Sequence, residues 1–184
     1  YYLAGCSGEK TKGYFAGGQL GVNQVSTADK VVYSTDTTAA QTTADLITNR
    51  SNLAGVSEGS TKGYFTGGVN GFSGLLSSTE KITYSNDTTA AQGSANLSGA
   101  RQSLSGCSGN FAGGYGYDQL FVTTFLATTD KLSYSTDTTV YQSSANLSVA
   151  RQNLAATTEG STKGYFSAGN DNVTPITAIT DKIV

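Results

Sequence analysis

A block of about fifty residues recurs along this chain, and that recurrence limits the folds open to it more than any other feature. TKGYFAGG (11–18), TKGYFTGG (61–68), NFAGG (110–114) and TKGYFSAG (162–169) correspond to one another. So do DKVVYSTDTTAAQ (29–41), EKITYSNDTTAAQ (80–92), DKLSYSTDTTVYQ (130–142) and DKIV (181–184). A third set is ADLITNRSNLAG (44–55), ANLSGARQSLSG (95–106) and ANLSVARQNLAA (145–156). Lys30, Lys81, Lys131 and Lys182 fall 51, 50 and 51 residues apart, and Arg50, Arg101 and Arg151 fall 51 and 50 apart. The copies divide as 1–52, 53–103, 104–153 and an incomplete 154–184. A unit this short cannot bury an apolar face by itself, so neighbouring units must cover one another.

Within a copy, four short extended segments are expected. The first is small and apolar, as in LAGVS (53–57), and the second is KGYFTGG. In the third, EKITYS, alternation places Ile82 and Tyr84 on one face and Lys81 and Thr83 on the other. The fourth covers TTAAQ and follows an S-T/N-D-T-T turn, in which Asp36, Asp87 and Asp137 are expected to bond the backbone two residues on. The segment ANLSGARQSL (95–104) comes nearest to a helical pattern, but its Gly, Ser and Asn content predicts a loop. Four strands per fifty residues, repeated, predict an all-β fold: a β-propeller built from four-stranded antiparallel blades, about three and a half of them in this chain. The paired glycines Gly17–Gly18, Gly67–Gly68 and Gly113–Gly114 mark positive φ or close backbone approach.

The order Gly67–Gly68, then Tyr84, then position 90 resembles the kelch repeat, in which Gly-Gly is followed by Tyr and then Trp. Ala39, Ala90 and Val140 stand where that family has Trp. The wording YSTDTTAAQ…ANLS.ARQ.LA…T.GYF.GG also resembles repeat proteins of marine, cyanobacterial-host bacteriophages of the tail-fibre or virion type. That resemblance implies a virion or extracellular location and contact with a glycan, a receptor or a neighbouring virion protein. The kelch resemblance implies the alternative of a protein–protein interaction adaptor.

Composition bears on function mainly by exclusion. Formal charge is −2, so no global basic field points to nucleic acid. Charged residues make up 13%, about half the usual share, with Ser, Thr, Gly, Asn and Ala in their place. No apolar run approaches the roughly 18–20 residues of a spanning helix. With no histidine, the usual acid–base group and commonest metal ligand is missing, which predicts a non-enzymatic chain with no cofactor and no metal. Tyr1 in place of Met predicts a processed product or a piece of something longer. A segment of a larger propeller, a ring finished by another chain and a four-bladed ring with a strand missing all remain open. Cys6 and Cys107 are repeat-equivalent and two copies apart, so free thiols are expected. Asn49, Asn86, Asn96, Asn146 and Asn172 stand in N-x-S/T sequons, which chance supplies readily in a chain this rich in Ser, Thr and Asn.

The third copy is irregular, and its connection from Gly114 to Asp130 is longer than the others. Tyr115, Tyr117, Asp118, Gln119, Phe121 and Phe125 combine rings with polar groups there, the chemistry of a surface that stacks on sugars or docks a protein. The plainer alternative is a longer hairpin packing its own aromatics. Arg50, Arg101 and Arg151 emerge on the same side and could line a shared face. Their repetition favours a structural role, bonding loop carbonyls or an acid of the same blade.

Overall fold

Each repeat folds as an antiparallel meander, because its extended segments, four in repeats 1 to 3 and three in repeat 4, are short and are separated by Gly- and Asp-bearing turns. The computed structural model describes residues 1–184 except 9, 10, 72, 73, 118–121, 160, 161, 172, 174 and 175. In repeat 1 the strands are Ala4–Gly8, Lys12–Ala16, Ala28–Val32 and Thr37–Ala40. Repeat 2 has Ala54–Glu58, Lys62–Thr66, Thr79–Thr83 and Thr88–Ala91. Repeat 3 has Ser105–Cys107, Asn110–Ala112, Thr129–Ser133 and Thr138–Tyr141, its first hairpin shorter, as its missing TKGY lead-in requires. In repeat 4 the strands are Ala155–Glu159, Lys163–Ser167 and Thr180–Ile183. The fold is all-β, with sheets of about four antiparallel strands, each paired to the next in sequence.

In repeats 1, 2 and 3 a small hairpin interrupts the connection from second to third strand. Gln19–Leu20 pairs with Asn23–Gln24, Val69–Asn70 with Gly74–Leu75, and Tyr115–Tyr117 with Thr123–Phe125. After the fourth strand, one 3-10 turn (Gly93–Ala95 in repeat 2) gives way to the loop expected for 95–104, within which Arg101–Gln102 forms a two-residue strand. The side chains of Asp45, Asn96 and Asn146 pin that segment by accepting the backbone N–H of Ala28, Thr79 and Thr129, at 2.7, 2.9 and 3.1 Å.

The apolar core lies between the sheets. Ala4, Cys6, Tyr14 and Ala28 of repeat 1 are buried together with Phe65, Ile82 and Tyr84 of repeat 2. The pattern recurs one step on, where Val56 and Tyr64 meet Phe111 and Leu132, and again where Cys107 and Ala112 meet Phe166 and Ile183. Ile82 and Tyr84 face this core while Lys81 and Thr83 do not, as the alternation predicts. Tyr14 stacks on Tyr84 with ring centroids 5.4 Å apart and planes 7° apart, and Tyr64 meets Tyr134 at 5.9 Å. The fourth strands, by contrast, are largely exposed, which suits their Thr and Ala content.

Successive first strands lie against one another, and glycine sets how closely they approach. A Cβ on Gly55 would run into the carbonyl oxygen of Gly5, and one on Gly106 would press on Val56. Gly55→Ala should therefore destabilise by about 1–3 kcal/mol through overpacking. Gly93→Ala, where an added methyl meets open space, should leave stability level or slightly raised. Thermal unfolding of the two variants side by side checks this. The first glycine of each pair, Gly67 at φ 67°, both needs the left-handed region and lies against Leu97, Leu104 and the Arg101 carbonyl.

Candidate functional site

Three features compete as the working part of the molecule: the irregular hairpin of repeat 3, the polar knots between sheets, and a trough along the first strands.

In the hairpin, Tyr115 lies opposite Phe125 across the strand pair, and their rings meet edge to face at 5.9 Å. Tyr115 also pairs with Gln102, which ties the hairpin to the Arg101–Gln102 strand. These two aromatics thus pack on each other, whereas Tyr117 stands 47% exposed. Asp118, Gln119 and Phe121 lie outside the described residues.

Arg50, Arg101 and Arg151 do not share a surface, because each is buried, at 0%, 1% and 0% exposure. Arg50 donates from Nη2 to Glu80 Oε1 at 2.6 Å and to Ser78 Oγ at 3.0 Å, and from Nη1 to the carbonyls of Gly67 and Ser78. Arg101 pairs with Asp130 and Arg151 with Asp181, each at 2.8 Å. Carbonyl bonding was the structural expectation, but the acid in every case belongs to the following repeat. The arginine sits at the end of one copy and its counter-ion on the third strand of the next, so the pair locks consecutive sheets. Burial pushes the Arg50 and Arg101 guanidinium groups down, and the carboxylate beside each opposes that.

The aspartates of the S-T/N-D-T-T turns also reach across. Asp87 adopts the left-handed conformation that the turn needs, at φ 54°. Its side chain does not bond the backbone two residues on. Instead, Asp87 accepts hydrogen bonds from Lys12 at 2.6 Å, from Lys30 at 2.7 Å and from the Tyr14 hydroxyl, all of repeat 1. Asp137 does the same with Lys62 at 2.7 Å, Lys81 at 2.6 Å and Tyr64 of repeat 2. Two ammonium groups and a phenol supply donors that outcompete a local turn bond. Partial burial works against the Asp87 carboxylate, but the bonds from Lys12, Lys30 and Tyr14 outweigh it and hold the group well below the usual range. The Asp137 carboxylate is held down in the same way. A signal for these knots was present in the sequence, since Lys12 and Tyr14 recur as Lys62 and Tyr64 at the same 75 and 73 residues before an aspartate, and Lys30 recurs as Lys81 at 57 and 56.

A trough of about 970 Å³ runs beside the first strands of all four repeats. Ser7, Ser57, Ser108 and Thr158 contribute hydroxyls to it, and Phe15 and Tyr33 contribute rings. Ser7 N–H donates to Ser57 Oγ at 2.7 Å, which ties adjacent strands across its floor.

Cys6 and Cys107 are free and buried. Burial pushes the Cys6 thiol up to about 12 and the Cys107 thiol up to about 11, so neither offers a thiolate near neutral pH. Among the described residues, no group of three or more His, Cys, Asp or Glu side chains is placed to hold a metal ion, and no helix is long and apolar enough to cross a membrane. The knots thus hold neighbouring sheets together, whereas the hairpin leaves Tyr117 in solvent. No family model matches the chain, and no curated protein is similar to it.

Proposed function

We propose that this chain is a non-enzymatic structural and adhesion module, a kelch-like β-propeller of about three and a half blades. In this reading it belongs to a phage virion or an extracellular surface and binds a glycan or a neighbouring protein through its loops. The observation that carries the reading is a contrast. The sheets are cross-braced by the same buried pairs at boundary after boundary, while the repeat 3 hairpin departs from the pattern and leaves Tyr117 in solvent. A rigid, repeated frame with one divergent aromatic loop is the layout of a scaffold that presents a contact. An exposed tyrosine ring gives apolar area at low entropic cost and a hydroxyl for the polar edge of a sugar or peptide.

A glycan array and a pull-down on host envelope test this. Binding should be found, and Tyr117→Ala combined with Phe121→Ala should weaken it by about tenfold or more. Binding unchanged in the double variant removes the hairpin as the site.

The trough favours a second reading, a kelch-type adaptor that seats a peptide partner against Phe15 and Tyr33. Capture of a peptide that survives the hairpin variant but is lost in Phe15→Ser identifies it.

A further inference from the structure

One asparagine in this chain, Asn70, is followed by glycine, and it stands in the small hairpin of repeat 2. Every other asparagine precedes a residue with a side chain. The repeat does not call for the pair, since Leu20–Gly21 and Gly116–Tyr117 occupy the corresponding places after the other Gly-Gly pairs. In an Asn-Gly pair the backbone nitrogen of the glycine reaches the preceding side-chain amide readily, because no Cβ hinders it and the backbone is free to turn.

Both of the groups that would react are held by repeat 1. Asn70 is 9% exposed, and its Nδ2 donates to the Asn49 carbonyl at 2.7 Å. The Gly71 N–H donates to Gln24 Oε1 at 3.1 Å. Gln24 belongs to the hairpin of repeat 1, and Asn49 to the loop that closes that repeat. Val69 and Ser51 exchange backbone hydrogen bonds at 2.9 and 3.1 Å, and Asn70 lies opposite Gly74 across its own hairpin. The side-chain amide is thus drawn towards Asn49 while the nitrogen that would attack it is turned towards Gln24.

We propose that Asn70–Gly71 is a latent deamidation site, kept shut by the Gln24 and Asn49 clamps of repeat 1. When the hairpin lifts, the Gly71 nitrogen gives its proton to a base in solution and bonds to Asn70 Cγ. The Cγ–Nδ2 bond breaks, and the nitrogen leaves as ammonia after taking a proton from water. Water then opens the cyclic imide at either carbonyl, which leaves aspartate or isoaspartate, with nothing oxidised or reduced. The change runs one way. A carboxylate at position 70 offers the Asn49 carbonyl no hydrogen, and isoaspartate adds a backbone atom that breaks the pairing with Ser51 and Gly74. Conversion therefore loosens the seam between repeats 1 and 2.

Peptide mapping by mass spectrometry, with released ammonia measured alongside, tests this on the intact chain held in mildly alkaline buffer. The folded native chain should keep its Asn70 amide far longer than the same chain in urea. Gln24→Ala should speed the loss in the folded state by about fivefold or more, since one hydrogen bond no longer opposes opening. In urea, where no clamp exists, native and Gln24→Ala chains should lose the amide at the same rate. Asp137→Asn weakens the boundary of repeats 2 and 3 and touches neither clamp, so it should leave the folded rate within about twofold. Asn70→Asp should raise hydrogen exchange at the Val69 and Ser51 amides by about fivefold or more. Circular dichroism confirms that each variant is folded. Loss in the folded native chain as fast as in urea, a Gln24→Ala rate equal to the native one, equal acceleration by Asp137→Asn, or unchanged exchange in Asn70→Asp would each overturn the proposal.

Discussion

Asp130→Ala should cost about 3–5 kcal/mol, read as a fall in the urea midpoint followed by circular dichroism. Asp130 and Arg101 are 0% and 1% exposed, so removing the carboxylate strands a guanidinium where water cannot solvate it. Asp130 also accepts the Ser98 N–H and hydroxyl, which would lose their partner as well. The paired replacement Arg101→Met with Asp130→Val should recover part of the loss, because no charge is then left without a counter-ion. It should not recover all of it, since Arg101 Nη2 also serves the Phe111 carbonyl. A cost for Asp130→Ala no larger than that of an exposed pair, about 0–1 kcal/mol, would show that the burial described for this pair is not kept in solution.

The second large effect is a dependence of stability on pH that passes through the Asp87 and Asp137 knots. Both carboxylates are depressed in the folded protein, against about 3.9 for an unfolded aspartate. Their contribution is therefore complete above about pH 4, and it drains away as pH falls from there towards the folded values. The tyrosines in the same knots move the other way. Burial, then the bond to aspartate and its charge, raises the Tyr14 and Tyr64 hydroxyls above the ordinary value of about 10. Their contribution is complete below about pH 10 and is lost as pH rises beyond it. Stability should thus form a plateau between about pH 4 and 10 with a decline on each side. Asp87→Asn keeps the left-handed turn, which asparagine tolerates, and removes only the charge. At pH 7 it should cost about 1.5–3 kcal/mol, and the gap from the native protein should close as pH is lowered below 4. A gap that stays constant across the acid range would show that the carboxylate does not carry the knot.

How much of this could be read in the sequence depended on the range of the interaction. Period-2 alternation is local, so the third strands and the inward faces of Ile82 and Tyr84 were legible from a few residues. The Gly-Gly pairs announced positive φ for the same reason. The small hairpins of repeats 1 and 2 were not legible, because two-residue strands leave too short a pattern, whereas the longer connection of repeat 3 did read as a hairpin. What the arginines and aspartates do was seen only in part. Both were assigned to their own repeat, since a side chain is expected to satisfy itself nearby. In the structure Arg50 finds Glu80 thirty residues on, and Asp87 finds Lys12 seventy-five residues back. Bonds between copies leave a trace only as a spacing repeated across the chain, and that spacing reads equally well as contact within a copy. At the hairpin, mutual packing of Tyr115 and Phe125 was the plainer of the two readings made, and the exposure of Tyr117 separates it from its neighbours.

Since every apolar layer is shared between one copy and its successor, the chain tolerates changes of length only in whole steps. Excising residues 53–103 would bring Tyr14, Lys12 and Lys30 against Tyr134 and Asp137, the same kinds of side chain they meet now. A cut of half that length would set those side chains against a strand with no aspartate to offer. Unequal recombination within such a gene would therefore be filtered by geometry, with insertions and losses of one full period passing while fractional ones fail to fold.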